Sequence, residues 1–136
     1  MIRPADKSDH SAILEVLKEA DLLYPYNVLE GFTVVEENHQ IVGVVRLQEI
    51  NGIIFLTSLG VRTAWRGQGI ASSLMKAVLS SNKKPIYLYT VIPDFFKRFG
   101  FAEMPAPATL PPKQIFGCED CYPGRCICMG KFSNDT

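Results

Sequence analysis

One stretch constrains this chain more than any other. Residues 56 to 79 read Leu-Thr-Ser-Leu-Gly-Val-Arg-Thr-Ala-Trp-Arg-Gly-Gln-Gly-Ile-Ala-Ser-Ser-Leu-Met-Lys-Ala-Val-Leu. An apolar run ends at Val61, a short loop with two glycines follows, and Ile70, Leu74 and Val78 then recur at helical spacing. The pattern is a buried strand, a tight loop and an amphipathic helix. Gly67 and Gly69 have no Cβ, so the backbone there can take positive φ and approach a ligand closely. The helix start presents unpaired N–H groups and the positive end of a dipole. Together these form an anion site suited to phosphate or pyrophosphate. Arg66 adds a fixed positive charge at its mouth. An ordinary strand-to-helix turn would also contain glycines. The full pattern Arg66-x-x-Gly69-x-Ala71 is what distinguishes this loop, and its spacing is neither that of a P-loop nor that of a dinucleotide fingerprint.

At 136 residues the chain is expected to form one domain, residues 1–136, large enough to bury about two thirds of its unfolded surface. Fourteen basic residues balance fourteen acidic ones, so no field argues for a nucleic-acid or anionic-membrane partner. No apolar run approaches the length of a transmembrane helix. Arg3, Asp6 and Lys7 stand where a signal peptide needs an apolar centre, so a cytoplasmic location is the default expectation.

The remaining elements follow in order. Residues 1–4 read as a short strand. Asp6 and Asp9 suit the start of a helix predicted from about Lys7 to Leu22. Pro25 breaks the chain between Tyr24 and Tyr26, which either line a ligand pocket or cover the core edge. Strands are predicted over Phe32–Glu36, Ile41–Leu47 and Ile53–Val61, with a hairpin signal at Asn51-Gly52. Pro85–Thr90 follows a helical crossover and so runs parallel to the strand ending at Val61. Pro93 opens a short helix over Asp94–Phe99, closed by Gly100. A strand begins at Phe101, residues 104–112 form a proline-rich loop, and Ile127–Phe132 returns as a last antiparallel strand.

Arg66-x-x-Gly69-x-Ala71 resembles the acetyl-CoA pyrophosphate loop of the GNAT superfamily of N-acetyltransferases. Phe95-Phe-Lys-Arg-Phe-Gly-Phe101 is similar to that superfamily's late helix and strand, and Ile2-Arg-Pro-Ala5 to its first strand. The resemblance implies an α/β (α+β) fold: a mixed, mainly antiparallel central sheet with helices on both faces. It implies direct acetyl transfer from acetyl-CoA to a primary amine of a small molecule, and it is compatible with a homodimer. The cofactor would lie against Leu59, Val61, Arg66, Gly67, Gln68, Gly69, Ile70, Ala71 and Ser72. Its pantetheine arm would enter a gap where the parallel strands splay, pairing with backbone at Leu59 and Val61. The family's late-helix Tyr, which protonates the leaving thiolate, falls at Phe96, here a cofactor-contacting residue that cannot donate. Tyr89 is either its substitute or a packed aromatic. The strand before the loop carries no Glu as base. Glu49 is the nearest carboxylate in sequence, and it is otherwise a solvated residue beside the hairpin. His10 and His39 read as surface residues. Amine deprotonation through ordered water needs no dedicated side chain. Arg98 reaches cofactor phosphate or lies on the surface, and Trp65 covers the nucleotide or anchors the loop.

All four cysteines fall in Cys118-Glu-Asp-Cys121-Tyr-Pro-Gly-Arg-Cys126-Ile-Cys128, within a predicted C-terminal hairpin over 116–132. A structural metal site, a disulfide or redox pair, and free thiols all remain open. The spacing departs from the usual zinc-knuckle pattern. The tail resembles the end of N-acetylglutamate-synthase-like amino-acid acetyltransferases, some of which confer arsenic resistance, and this points toward an amino-acid α-amine. Two other readings stand beside the enzyme: a non-catalytic acyl-CoA-binding or regulatory module, and a thiol or metal sensor on the same fold.

Overall fold

Runs of Val, Ile and Phe in the first half zip into consecutive antiparallel strands, and the glycine loop then turns the chain across the sheet. The structure is a computed structural model, and it describes residues 1–19, 31–50, 53–82, 84–90, 92–105 and 127–132. Its strands are β1 (Ile2–Pro4), β2 (Phe32–Glu37), β3 (Gln40–Ile50), β4 (Ile53–Val61), β5 (Ile86–Thr90), β6 (Ala102–Glu103) and β7 (Ile127–Lys131). They form one mixed sheet in the order β1-β2-β3-β4-β5-β7-β6. Every pairing is antiparallel except β4 with β5. The helices are α1 (His10–Glu19), α2 (Ile70–Ser80) and α3 (Pro93–Lys97).

The two faces of the sheet are covered differently. Ile13, Val16 and Leu17 of α1 pack on Phe32, Val34, Ile41 and Val44. Leu74, Met75 and Val78 of α2 pack on Val42, Val45, Leu56 and Leu88 of the opposite face, where Phe96 and Phe101 also bury. Alternation along the strands accounts for this, because successive side chains point to opposite faces. β4 is apolar nearly throughout because both of its faces are covered.

Several predicted boundaries shift by a residue or more, and two of the shifts have a clear cause. The first helix opens as a 3-10 turn over Lys7–Asp9 before α1 begins at His10. There the Asp6 side chain accepts from Ser8 N–H at 2.8 Å, and Asp9 accepts from Asp6 N–H at 2.8 Å, a reciprocal capping box. β3 runs to Ile50, beyond the predicted Leu47, because its ladder with β4 continues to the pair Ile50–Ile53. The hairpin signal at residues 51–52 lies outside the described residues, as do Tyr24 and Tyr26.

The sheet's first edge is pinned by Arg3. Its guanidinium grips Asp9 through two hydrogen bonds of 2.7 and 2.9 Å and reaches Glu36 at 2.9 Å. Asp9 is 7% exposed, and the bound guanidinium lowers its pKa to about 2 from the usual 3.8. A depressed carboxylate pKa adds stability that is complete above the unfolded value and is lost as pH falls through the folded one. The protein should therefore lose stability between about pH 4 and pH 2. Asp9→Asn should lower stability near neutrality by about 2 kcal/mol and flatten that acid limb, as measured by urea unfolding at several pH values.

α3 ends in a Schellman motif. Gly100, at φ 92°, donates to Lys97 O at 3.1 Å, and Phe101 N–H reaches back to Phe96 O at 3.3 Å. The Phe96 and Phe101 rings meet edge to face at 5.9 Å, the apolar contact that accompanies this motif. A Cβ on Gly100 would also meet Lys131 Nζ at 2.6 Å. Gly100→Ala should cost about 1–2 kcal/mol, read from the denaturant midpoint.

Candidate active site

The site begins where a strand pairing stops. β4 and β5 are paired in parallel only at Ile54–Ile86 and Phe55–Tyr87, although β4 continues to Val61 and β5 to Thr90. Beyond Phe55 the β5-facing edge of β4 therefore has no strand partner among the described residues. The β3–β4 register also jumps there, from Arg46–Thr57 to Val44–Gly60, and Ser58 within the jump sits at φ 59°. This is a β-bulge, which turns a strand away from its neighbour.

A cavity of about 360 Å³ opens at the end of β4. Its lining includes Val61, Trp65, Arg66, Gly67, Gly69, Ile70, Ala71, Ser72, Phe95 and Arg98, with no acidic side chain among them. Gly67 and Gly69 have φ of 79° and 78°, and a Cβ built on either meets nothing within 4 Å. The glycines are required by backbone conformation, and the space beside them is open. Gly69 caps α2, and no side chain caps that helix start, so the first N–H groups of α2 face the cavity without an internal partner. Arg66 Nε donates to Val61 O at 3.2 Å, which holds the guanidinium against the strand end. The Arg98 guanidinium lies 5.0 Å over the Phe95 ring and 6.0 Å from that of Phe99. Two guanidinium groups, a helix N-terminus and two open glycines make a cradle that fits an oxyanion such as a pyrophosphate. Beside it a shallower groove is lined by Leu59, Gly60, Val61, Ala71, Ile92 and Phe95, an apolar slot along the unpaired edge of β4.

The loop before the cradle is strapped to α1. Arg62 Nε donates to Ile41 O at 2.7 Å, and its terminal nitrogens reach Glu15 at 3.1 Å and Glu19 at 3.4 Å. Glu19 also accepts the Thr63 N–H, and that bond, followed by the nearby Arg62 charge, lowers its pKa.

Most residues singled out from the sequence converge here. Leu59, Val61, Arg66, Gly67, Gly69, Ile70, Ala71, Ser72 and Arg98 all line the cavity or its groove. Gln68 is exposed in the loop between the two glycines. Two residues need correction. Phe96 does not line the cleft; it is 5% exposed within the α2-side core, held by the Schellman contact with Phe101, and Phe95 lines the cleft instead. Glu49 does not approach the cradle. It pairs across from Ile54 and forms an ion pair with Lys84, about seven residues of strand, roughly 20 Å, from Val61. Tyr89 lies on the α1-side face, its ring 5.6 Å from that of Phe55. His10 and His39 are exposed. Cys128 is buried beside Phe55 and Tyr87. Cys118, Cys121 and Cys126 lie outside the described residues. Phe95, Ile92 and the Arg62 strap were not anticipated. The pairing of Phe95 with Arg98 at helical spacing was the available signal for the first.

Among the described residues no helix is long and apolar enough to cross a membrane. Comparison with known proteins agrees with the geometry. The chain is similar in fold to Rv2747 of Mycobacterium tuberculosis, solved in complex with CoA and NLQ, at TM-score 0.79 and 18% identity, covering 97% of this chain and 98% of that one. It is similar to N-acetylglutamate synthase of Neisseria gonorrhoeae, complexed with coenzyme A and N-acetyl-glutamate, at TM-score 0.77 and 14% identity, covering 98% of this chain and 35% of that one. A GNAT-family acetyltransferase of Staphylococcus aureus Mu50 matches at TM-score 0.71 and 19% identity, over 97% of this chain and 98% of that one. No functionally curated protein matches in sequence. The family model for the acetyltransferase (GNAT) domain matches residues 29–103, the span that contains β2 to β6 and the cradle, and the chain belongs to the GNAT acetyltransferases.

Proposed function

We propose that this protein transfers an acetyl group from acetyl-CoA directly to the primary amine of a small molecule, with an amino acid as acceptor. The observation that carries the reading is the uncapped start of α2, set with Arg66 and Arg98 around the open glycines at the mouth of a strand gap. The α2 N–H groups and the two guanidinium groups would hold the pyrophosphate. The groove lined by Leu59, Val61, Ile92 and Phe95 would take the pantetheine arm, whose amides find unpaired backbone along the β4 edge. Acetyl-CoA supplies the activated thioester carbonyl. A backbone N–H near Val61 would stabilise charge on its oxygen. Among the described residues neither carboxylate nor imidazole lines the cleft, so the amine loses its proton through solvent, and the chain acts chiefly by positioning. The amino-acid acceptor is supported by the cysteine-containing tail's resemblance and by a fold of this shape, N-acetylglutamate synthase, solved with coenzyme A and N-acetyl-glutamate.

Calorimetric titration of acetyl-CoA tests the cradle. Wild type should bind in the micromolar range. Gly69→Glu, which places a negative charge among the α2 N–H groups, should weaken binding about 100-fold, close to 2.7 kcal/mol, in a protein that remains folded. Equal binding by both would remove the cofactor from this site.

Tyr89 is the available acid for the leaving thiolate. Its phenol stands on the strand that forms the other side of the gap. Tyr89→Phe should lower kcat about 100-fold and leave acetyl-CoA affinity unchanged. An unchanged kcat would make Tyr89 a packing residue only.

A second reading has a specific observation behind it. Phe96, at the position of the family's acid, and Phe55, on the strand where relatives often carry a Glu, are 5% and 1% exposed and serve the core. A non-catalytic acyl-CoA-binding module would keep the cradle with such a core. Turnover of any amine above the Gly69→Glu background excludes it.

A further inference from the structure

We propose that Arg46 and Thr57 form a subsite that holds a carboxylate of the acceptor, on the α1-side face of the sheet. The proposal rests on the acetyltransfer reading above and narrows the acceptor to amines that carry an acid group.

Thr57 is the starting point. It is 8% exposed, and its Oγ1 is buried with no hydrogen-bond partner among the described residues. A buried hydroxyl without a partner is a rare and costly feature. The next residue, Ser58, holds a left-handed φ of 59°, which a side-chain-bearing residue adopts only under constraint. Both features fall where the β3–β4 register jumps and just past the last β4–β5 pair. An orphaned hydroxyl and a strained backbone thus fall together just past the last β4–β5 pair.

Arg46 supplies the charge. It is the direct cross-strand partner of Thr57, so both side chains leave the sheet on one face, with Cβ atoms about 5 Å apart. That face is the one beneath α1, because Phe32, the partner of Arg46 on β2, packs with Ile13, Val16 and Leu17 or their neighbours. Arg46 is engaged in a contact of its own, and its guanidinium carries five donors in a planar fork. The edge-to-face pair of Phe55 and Tyr89 stands beside Thr57 on the same face. A guanidinium and a neutral hydroxyl carried by directly paired positions on one face of the sheet supply the kind of donors that a carboxylate's oxygens accept. The same charge repels an ammonium, so the acceptor would seat with its acid on Arg46 and its nitrogen turned toward the gap and the thioester.

The test is steady-state acetylation with acetyl-CoA and paired acceptors, each common L-amino acid beside its α-carboxamide, with glutamine and asparagine marking side-chain amides. Wild type should acetylate at least one acid with kcat/KM about 100-fold above that of its amide. Thr57→Val keeps shape and removes the hydroxyl. It should raise the acceptor KM about 10-fold, leave kcat and the acetyl-CoA KM within about twofold, and raise Tm by about 3 °C, because the orphaned group is gone. Arg46→Gln should raise the acceptor KM about 100-fold and erase the acid-over-amide preference, and Arg46→Lys should restore part of it. If Arg46→Gln does not fold, Thr57→Val and Arg46→Lys decide the matter. Acids and amides acetylated equally well, or an acceptor KM that Thr57→Val and the Arg46 variants leave unchanged, would overturn the subsite and leave the acetyltransfer reading standing. No turnover of any acid, amide or simple amine by a protein that binds acetyl-CoA would overturn both.

Discussion

The site depends on one interaction that ends early: the parallel pairing of β4 with β5. Two residue pairs, Ile54–Ile86 and Phe55–Tyr87, hold the two halves of the sheet in one layer. Past them the strands separate, and backbone that a continuous ladder would have consumed is left along the β4 edge. A bulge at Ser58 reinforces the separation by adding one residue to β4 that β3 does not match. A longer ladder would make a more regular sheet and close the slot. The same ladder, removed altogether, would leave β5 and β7 without an anchor to the first four strands.

The cradle is held from outside this gap. Gly67 and Gly69 set the backbone, and what fixes the loop in space is Arg62, tied to β3 through Ile41 O and to α1 through Glu15 and Glu19. The glycine loop and the helix on the other side of the sheet therefore share a hydrogen-bonded strap. Glu19 adds to it by accepting the Thr63 N–H. Because these groups are partly exposed, each link is modest, and the strap works by their number.

Local patterns were legible in the amino-acid order, and long-range choices were not. Arg66-x-x-Gly69-x-Ala71 declares itself because strand end, glycine turn and helix start are consecutive. The splay of β4 from β5 was legible only through the family resemblance, since the order of residues in β4 and β5 carries no local sign of where their pairing stops. Phe96 misled because the family's late-helix Tyr position was carried over to it; the Schellman contact with Phe101 commits Phe96 to the core and leaves Phe95 for the cleft. Glu49 misled because nearness in sequence to β4 is nearness to its first residue, and the site is at its last. Ser58 gave no sign at all. A left-handed conformation is announced by glycine or asparagine, and a serine held there by tertiary context carries no local signal.

The order of strands also bears on how the chain comes together as it is made. β6 meets the sheet only through β7, and β7 lies between β6 and β5. Until β7 emerges, a nascent chain can assemble β1 to β5 by neighbouring hairpins and one crossover, with the far edge of β5 uncovered by any described strand. That edge includes Ile86, Leu88 and Tyr89, a run able to recruit strands from another chain. The strand that covers this edge is made only after residues 91–126 have been added to the chain.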